Sequence, residues 1–201
     1  MSRFPAARLL LLALLAAPTA LAAPVKFEVA TKSENLNVLT VESETAVENF
    51  TARTNKVSGT LTFDPASKTG GGTVTIDGTT IDTGIALRNR DMKSATWLNF
   101  DKQPDVKFTA TKVAHLSGEK YRVSGNLTMN GVTRPVTADA TVRYTPEGDL
   151  TRAVGLKGDV LAVSVKFGVK LSDYGVKHPQ IAAGRVSNDL DLVVRFIASS
   201  K

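Results

Sequence analysis

Asn130-Gly131 restricts the fold of this 201-residue chain more than any other pair of neighbours. A two-residue hairpin loop of type I′ needs positive φ at both central positions, and Asn followed by Gly supplies it at little steric cost. Such a loop fixes the register: Met129 faces Val132, Leu127 faces Arg134, and Gly125 faces Val136. One face then carries Val123, Gly125, Leu127, Met129, Val132, Val136 and Ala138. The other carries Ser124, Asn126, Thr128, Thr133, Thr137 and Asp139. Turn and alternation agree, so this is an antiparallel pair with one buried and one wet face. Arg134 alone breaks the apolar side. It either reaches water along its own stem or meets a ligand head group at a rim.

The same period of two runs through most of the chain. Leu161, Val163, Val165, Phe167 and Val169 alternate with Ala162, Ser164, Lys166 and Gly168. Leu190, Leu192, Val194 and Phe196 alternate with Asp189, Asp191 and Arg195. Turn-forming clusters punctuate these runs at Asp64-Pro65, Gly70-Gly71-Gly72, Asp77-Gly78, Ser117-Gly118 and Pro146 to Asp149. Many short strands with such turns predict an all-β fold, a sandwich or a barrel. Only Asp91 to Phe100 departs from the pattern. Asp91 suits an N-cap, and Met92, Ala95 and Leu98 recur at helical spacing, so a short helical segment is expected there.

Residues 1–22 read as an export signal: Arg3 and Arg8, the apolar run Leu9 to Ala17, then an Ala20-Leu21-Ala22 cleavage site. Residues 23–201, undivided by any linker, are expected to form one domain in the periplasm or outside the cell. The chain has no cysteine, which excludes disulfides and a lipid anchor on a mature Cys. Losing Arg3 and Arg8 takes the formal charge from +6 to about +4, borne by scattered cations. That pattern speaks against nucleic acid and allows a transient contact with anionic membrane lipid. A homodimer is left open.

Catalysis has little to stand on. His115 lies beside a predicted turn and His178 precedes Pro179, and both read as solvated loop residues. A zinc site needs three or four nitrogen or sulfur ligands, no Gly-x-Ser-x-Gly elbow marks a nucleophile, and Asp189 with Asp191 lacks the other oxygens of a calcium loop. No metal, cofactor or enzyme activity is expected. A barrel isomerase or cyclase acting on an apolar substrate would need a buried ionisable pair, for which Arg88 with Asp91 is the candidate.

Two blocks of residues resemble the YceI-like family of periplasmic, lipocalin-like proteins. One is Tyr121…Gly125-x-Leu127-Thr128…Gly131-Val132-Thr133-x-Pro135-Val136. The other is Asp82-Thr83-Gly84, Arg88-Asn89-Arg90-Asp91-Met92-Lys93-Ser94, Phe100-Asp101, Pro104 and Phe108. The similarity runs from about Val57 to Val194. It implies an eight-stranded antiparallel barrel around a long apolar cavity holding a polyisoprenoid-type lipid. Asp173-Tyr174-Gly175-Val176 resembles a further family motif, which makes Tyr174 a candidate cavity wall. Two departures touch polar groups. The family's acidic-x-x-His-Ser pattern has no histidine around Ala30 to Ser33, and its Arg two places before the Asp is here Leu171.

Large inward residues (Phe63, Phe108, Leu127, Met129, Phe167) mixed with small ones (Ala110, Gly125, Ala138, Ala140) suit either a cavity or a packed core. The family resemblance favours the cavity. Its mouth is expected near Arg88, Asp91, Met92, Trp97 and Phe100, a set that could also plug one barrel end. The resulting expectation is an exported carrier of an elongated isoprenoid lipid or quinone-like ligand, for storage, transport or sequestration. The alternative is a stress-related interaction protein with a packed, empty barrel.

Overall fold

The computed structural model describes residues 23–201, so the expected export signal lies outside the described residues. Ten strands follow one another: β1 (Val25–Val29), β2 (Val38–Glu44), β3 (Asn49–Thr54), β4 (Val57–Asp64), β5 (Thr69–Asp77), β6 (Asp105–Ser117), β7 (Lys120–Met129), β8 (Val132–Thr145), β9 (Val160–Lys170) and β10 (Asp189–Ser199). Every pairing is antiparallel, and β1 closes the sheet onto β10 through Glu28↔Ser199 and Val29↔Ala198.

Ten segments make eight positions in the ring. Strand β10 pairs with β1 near its C-terminus and with β2 from Leu190↔Ser43 to Arg195↔Val38. β1 and β2 are therefore two halves of one strand, interrupted by a 3-10 turn at Thr31–Leu36. β3 and β4 are likewise halves of the next, broken at Asn55-Lys56. Asn37 stitches the first break: its amide donates to Ala30 O (3.1 Å) and its side-chain oxygen accepts from Ile197 N (3.1 Å). Asn55 in turn donates to Asn37 O. Buried Asn37 is thus satisfied on both sides, as a buried amide must be.

The hairpin has the register expected from its loop, Met129↔Val132 to Gly125↔Val136, with φ of 52° at Asn130 and 71° at Gly131. In β6 an extra residue, Thr111, falls between Ala110↔Gly125 and Lys112↔Ser124. This bulge turns Val113 inward opposite Val123, which strict alternation would have sent outward.

β3 pairs with β2 along one edge, but its other edge bends away and, among the described residues, carries one bridge, Arg53↔Asp82, and residues 78–104 fold into the space. Helix α1 occupies Ala86–Lys93, earlier than the segment expected at 91–100. Asp91 consequently sits in its last turn and does not cap it. The start is set upstream: Asn89 accepts from Thr83 N (2.8 Å) and donates to Asp82 (2.5 Å), locking the Asp82-Thr83-Gly84 turn to the helix. Behind it Phe100 is 1% exposed and lies against Gly78, where a Cβ would stand 2.4 Å from the ring. Two short helices, α2 (Asp149–Ala153) and α3 (Pro179–Ala182), lie in the β8–β9 and β9–β10 connections.

One joint in the wall is incomplete. The β8–β9 ladder runs from Thr145↔Val160 to Asp139↔Lys166 and stops, although both strands continue. Continuing that register would set Pro135 opposite Lys170. The hairpin pairing turns the N–H positions of residues 133, 135 and 137 away from β7 and toward this gap. Proline has no N–H to give, so the ladder cannot close there. A strap at Leu171–Tyr174 borders the gap, held to β8 by Asn130 donating to Tyr174 O (3.0 Å) and Arg134 Nε donating to Asp173 O (3.0 Å). Arg134, the misfit of the apolar face, thus leaves the interior for the strap.

Candidate functional site

Inside the ring two apolar cavities lie end to end. The deeper one, about 130 Å³, is bounded by Phe63, Phe108, Leu127 and Phe167, with walls thinned by Gly70, Gly72, Ala110, Ala138 and Ala140. Phe63 forms its floor and is backed by two tyrosines outside the lining, Tyr121 edge-on at 6.1 Å and Tyr144 at 6.3 Å. The outer cavity, about 350 Å³, is bounded by Met92, Trp97, Leu98, Phe100 and Met129. Val106 and Leu192 line both, so the two abut across these side chains. Phe108, Val136, Val165 and Phe167 point inward yet remain partly exposed, which a filled core would not permit.

Ten of the expected site residues therefore line this space: Phe63, Phe108, Leu127 and Phe167 in the deep part, and Arg88, Asp91, Met92, Trp97, Phe100 and Met129 in the outer part. Tyr174 lies elsewhere. It is a buried residue of the strap itself and borders an external cleft of about 510 Å³ along the β8–β9 gap.

Ionisable groups touch the cavity at one end only. Arg88 Nη2 donates to Glu48 Oε1 (2.5 Å), and Arg185 Nε donates to Glu48 Oε2 (3.3 Å). The Arg88 guanidinium also lies over the Phe50 ring, 4.1 Å from its centre. The expected Arg88–Asp91 pair does not form, because Asp91 takes the exposed Arg90 (3.2 Å) while the β2–β3 turn brings Glu48 to Arg88. Glu48 and Arg185 were invisible to the sequence: they stand 40 and 97 residues from Arg88, in loops without a motif.

Both histidines are half-buried against an aromatic ring, His178 from the loop ahead of α3 and His115 from a strand where a loop was expected. His178 stacks on Trp97 at 4.1 Å between ring centres, and its Nδ1 accepts from Gln180 N at the start of α3. His115 lies in β6 with its ring on Tyr121 at 5.1 Å. Behind the floor, burial pushes the Tyr121 and Tyr144 phenols above their ordinary values, and Tyr144 donates to Asp159 Oδ2 (2.8 Å). Both stay neutral at ordinary pH. The arrangement can enclose an elongated apolar molecule with one end at a charged mouth and the other against neutral rings.

The model of the YceI-like domain matches residues 27–198, more of the chain than the two sequence blocks delimit. Protein YceI of Shigella flexneri is 34% identical over 137 residues, which is 68% of this chain and 66% of that protein. A UPF0312 protein of Serratia proteamaculans is 36% identical over 124 residues, 60% of this chain and 58% of that protein. The chain thus spans slightly under two thirds of these curated relatives. Among solved structures, Burkholderia cenocepacia BcnA superposes with a TM-score of 0.71 at 21% identity, covering 83% of this chain and 99% of that one. A polyisoprenoid binding domain from Saccharophagus degradans, implicated in plant cell wall breakdown, superposes with a TM-score of 0.62 at 18% identity, covering 89% and 100%.

Proposed function

Since the chain belongs to the YceI-like family, we propose that it is an exported binding protein that carries one elongated isoprenoid-type lipid in the two adjoining cavities. The observation that carries this reading is the end-to-end alignment of two adjoining apolar cavities inside the ring, from Trp97 at the mouth to Phe63 at the floor. Burial of a hydrocarbon tail at ~25 cal/mol per Å² drives binding, with association costs set against it. The resemblance to a polyisoprenoid binding domain supports the ligand class. The leader-like residues 1–22 support export to the periplasm or beyond. The role is storage, transport or sequestration rather than catalysis.

Native mass spectrometry of the protein purified without detergent, followed by organic extraction, tests the proposal. A stoichiometric co-purifying isoprenoid is expected, and the extract names its head group, quinone-like or otherwise. A bare-chain mass that does not change on incubation with isoprenoids overturns the carrier reading in favour of a protein that acts through its surface.

A further inference from the structure

The ion pair with the least exposed side chains among the described residues is not on the outer wall but at the cavity mouth: Arg88 and Glu48, 22% and 30% exposed. Phe50 supports the Arg88 guanidinium from below and Glu48 holds one corner, so its plane is fixed before any ligand arrives. Each of Arg88 and Arg185 spends a single N–H on Glu48 and makes no other side-chain hydrogen bond among the described residues. A guanidinium offers five such donors. No polar side-chain atom of the described residues is both buried and unpartnered, so the spare donors stand in the water of the mouth.

The charges of the clasp do not cancel: Arg88 and Arg185 share the one carboxylate of Glu48, while Asp91 is taken by exposed Arg90 outside the lining. The floor is the Phe63 ring, backed by neutral phenols, and the walls between are hydrocarbon. A complementary ligand is apolar along its length and carries one negative charge at its outer end.

We propose that the mouth is a head-group subsite for an amphiphile ending in a singly charged oxyanion, a carboxylate or a phosphate diester, held between Arg88 and Arg185. The inference rests on the lipid reading above and gives it an orientation, head at α1 and tail toward Phe63. Fork-shaped, charge-assisted hydrogen bonds to such a head are the strong kind, and the site is sheltered enough to keep them so. Trp97, the only tryptophan, stacks on His178 beside them and gives the site a built-in probe.

Trp97 fluorescence titrations of the protein with farnesoic acid, farnesol and acetate at pH 7.5 test this. Farnesoic acid should bind at least about tenfold more tightly than farnesol, with acetate silent at the same concentrations. In Arg185→Gln, which alters an exposed side chain, and in Arg88→Ala, that ratio should fall toward one. Equal binding of acid and alcohol by the wild type, or a preference that survives both substitutions, overturns the head-group assignment and leaves the carrier reading standing. Acetate binding as tightly as the acid makes this a free-anion site and overturns the amphiphile. Failure of acid and alcohol alike overturns the carrier reading and this inference together.

Discussion

Gly72 faces Leu61 across β4 and β5 with φ at 148°, and a Cβ there would lie 2.4 Å from Thr60 O. The position needs glycine both for its backbone and for its contact, and it leaves the deep cavity's wall bare. Gly72→Ala should cost at least about 2 kcal/mol in urea unfolding; a smaller loss would mean the wall yields at little cost. Asp64 and Asp82 contribute to an acid limit, as do Glu119 and Glu147, each held down by a cation. Hydrogen bonds from Ser67 Oγ (2.6 Å) and Ala66 N (2.9 Å) hold Asp64 below its ordinary value. Those from Gly84 N (2.8 Å) and Asn89 (2.5 Å) do the same for Asp82. The native state then takes up these protons less readily than the unfolded chain. The stabilisation is full above the unfolded carboxylate value of about 4 and is lost as pH falls through the lower folded values. An Asp64→Asn, Asp82→Asn double variant should lose less Tm between pH 6 and pH 3 than the wild type; an equal loss places acid sensitivity in other groups.

Element by element, what could be read from the sequence was whatever local geometry dictates. A two-residue loop and strict alternation leave β7 and β8 one register, and the register is met pair for pair. Where the controlling contact is distant, the reading slipped. Helix α1 begins at Ala86 because Asn89 reaches back to Asp82 and Thr83, a link that outranks the capping tendency of Asp91. The Thr111 bulge and the breaks at Asn37 and Asn55 are also set by tertiary partners and carry no periodic signal. The clasp at the mouth needs Glu48 from one turn and Arg185 from a loop 137 residues away. The residues around the cavity were legible from inward alternation, the family blocks and, for Trp97, an aromatic ring with a polar edge, whereas the motif that pointed to Tyr174 belongs to the strap. The paired strands make the next expectation specific. Ala138 of β8 lines the deep cavity opposite Val123 of β7, so Ala138→Phe should fill space that a ligand tail would use. Lipid binding should fall at least about tenfold while the fold survives, since overpacking a cavity costs about 1–3 kcal/mol or less. Unfolding in its place would mean that the deep space is too tight for a tail.

At the scale of the whole molecule, eight positions in an antiparallel ring leave an interior wide enough for one slender guest. Neutral rings close one end and a charged clasp guards the other. The gap between β8 and β9 changes how that ring behaves as a body. A fully laddered barrel is a hoop, and enlarging it means breaking backbone hydrogen bonds somewhere along its rim. This one is a split collar, fastened from Thr145↔Val160 to Asp139↔Lys166 and unfastened beyond, with Pro135 keeping the slit from knitting. Amide exchange reads that directly: the N–H groups of Thr133 and Thr137 should exchange faster than those of Thr141 and Arg143, which lie on the same strand but inside the fastened part. Comparable protection at all four would mean the slit is shut in solution. A split collar can take guests of different girth by opening at the slit, where the side-chain ties across it among the described residues are those from Asn130 and Arg134.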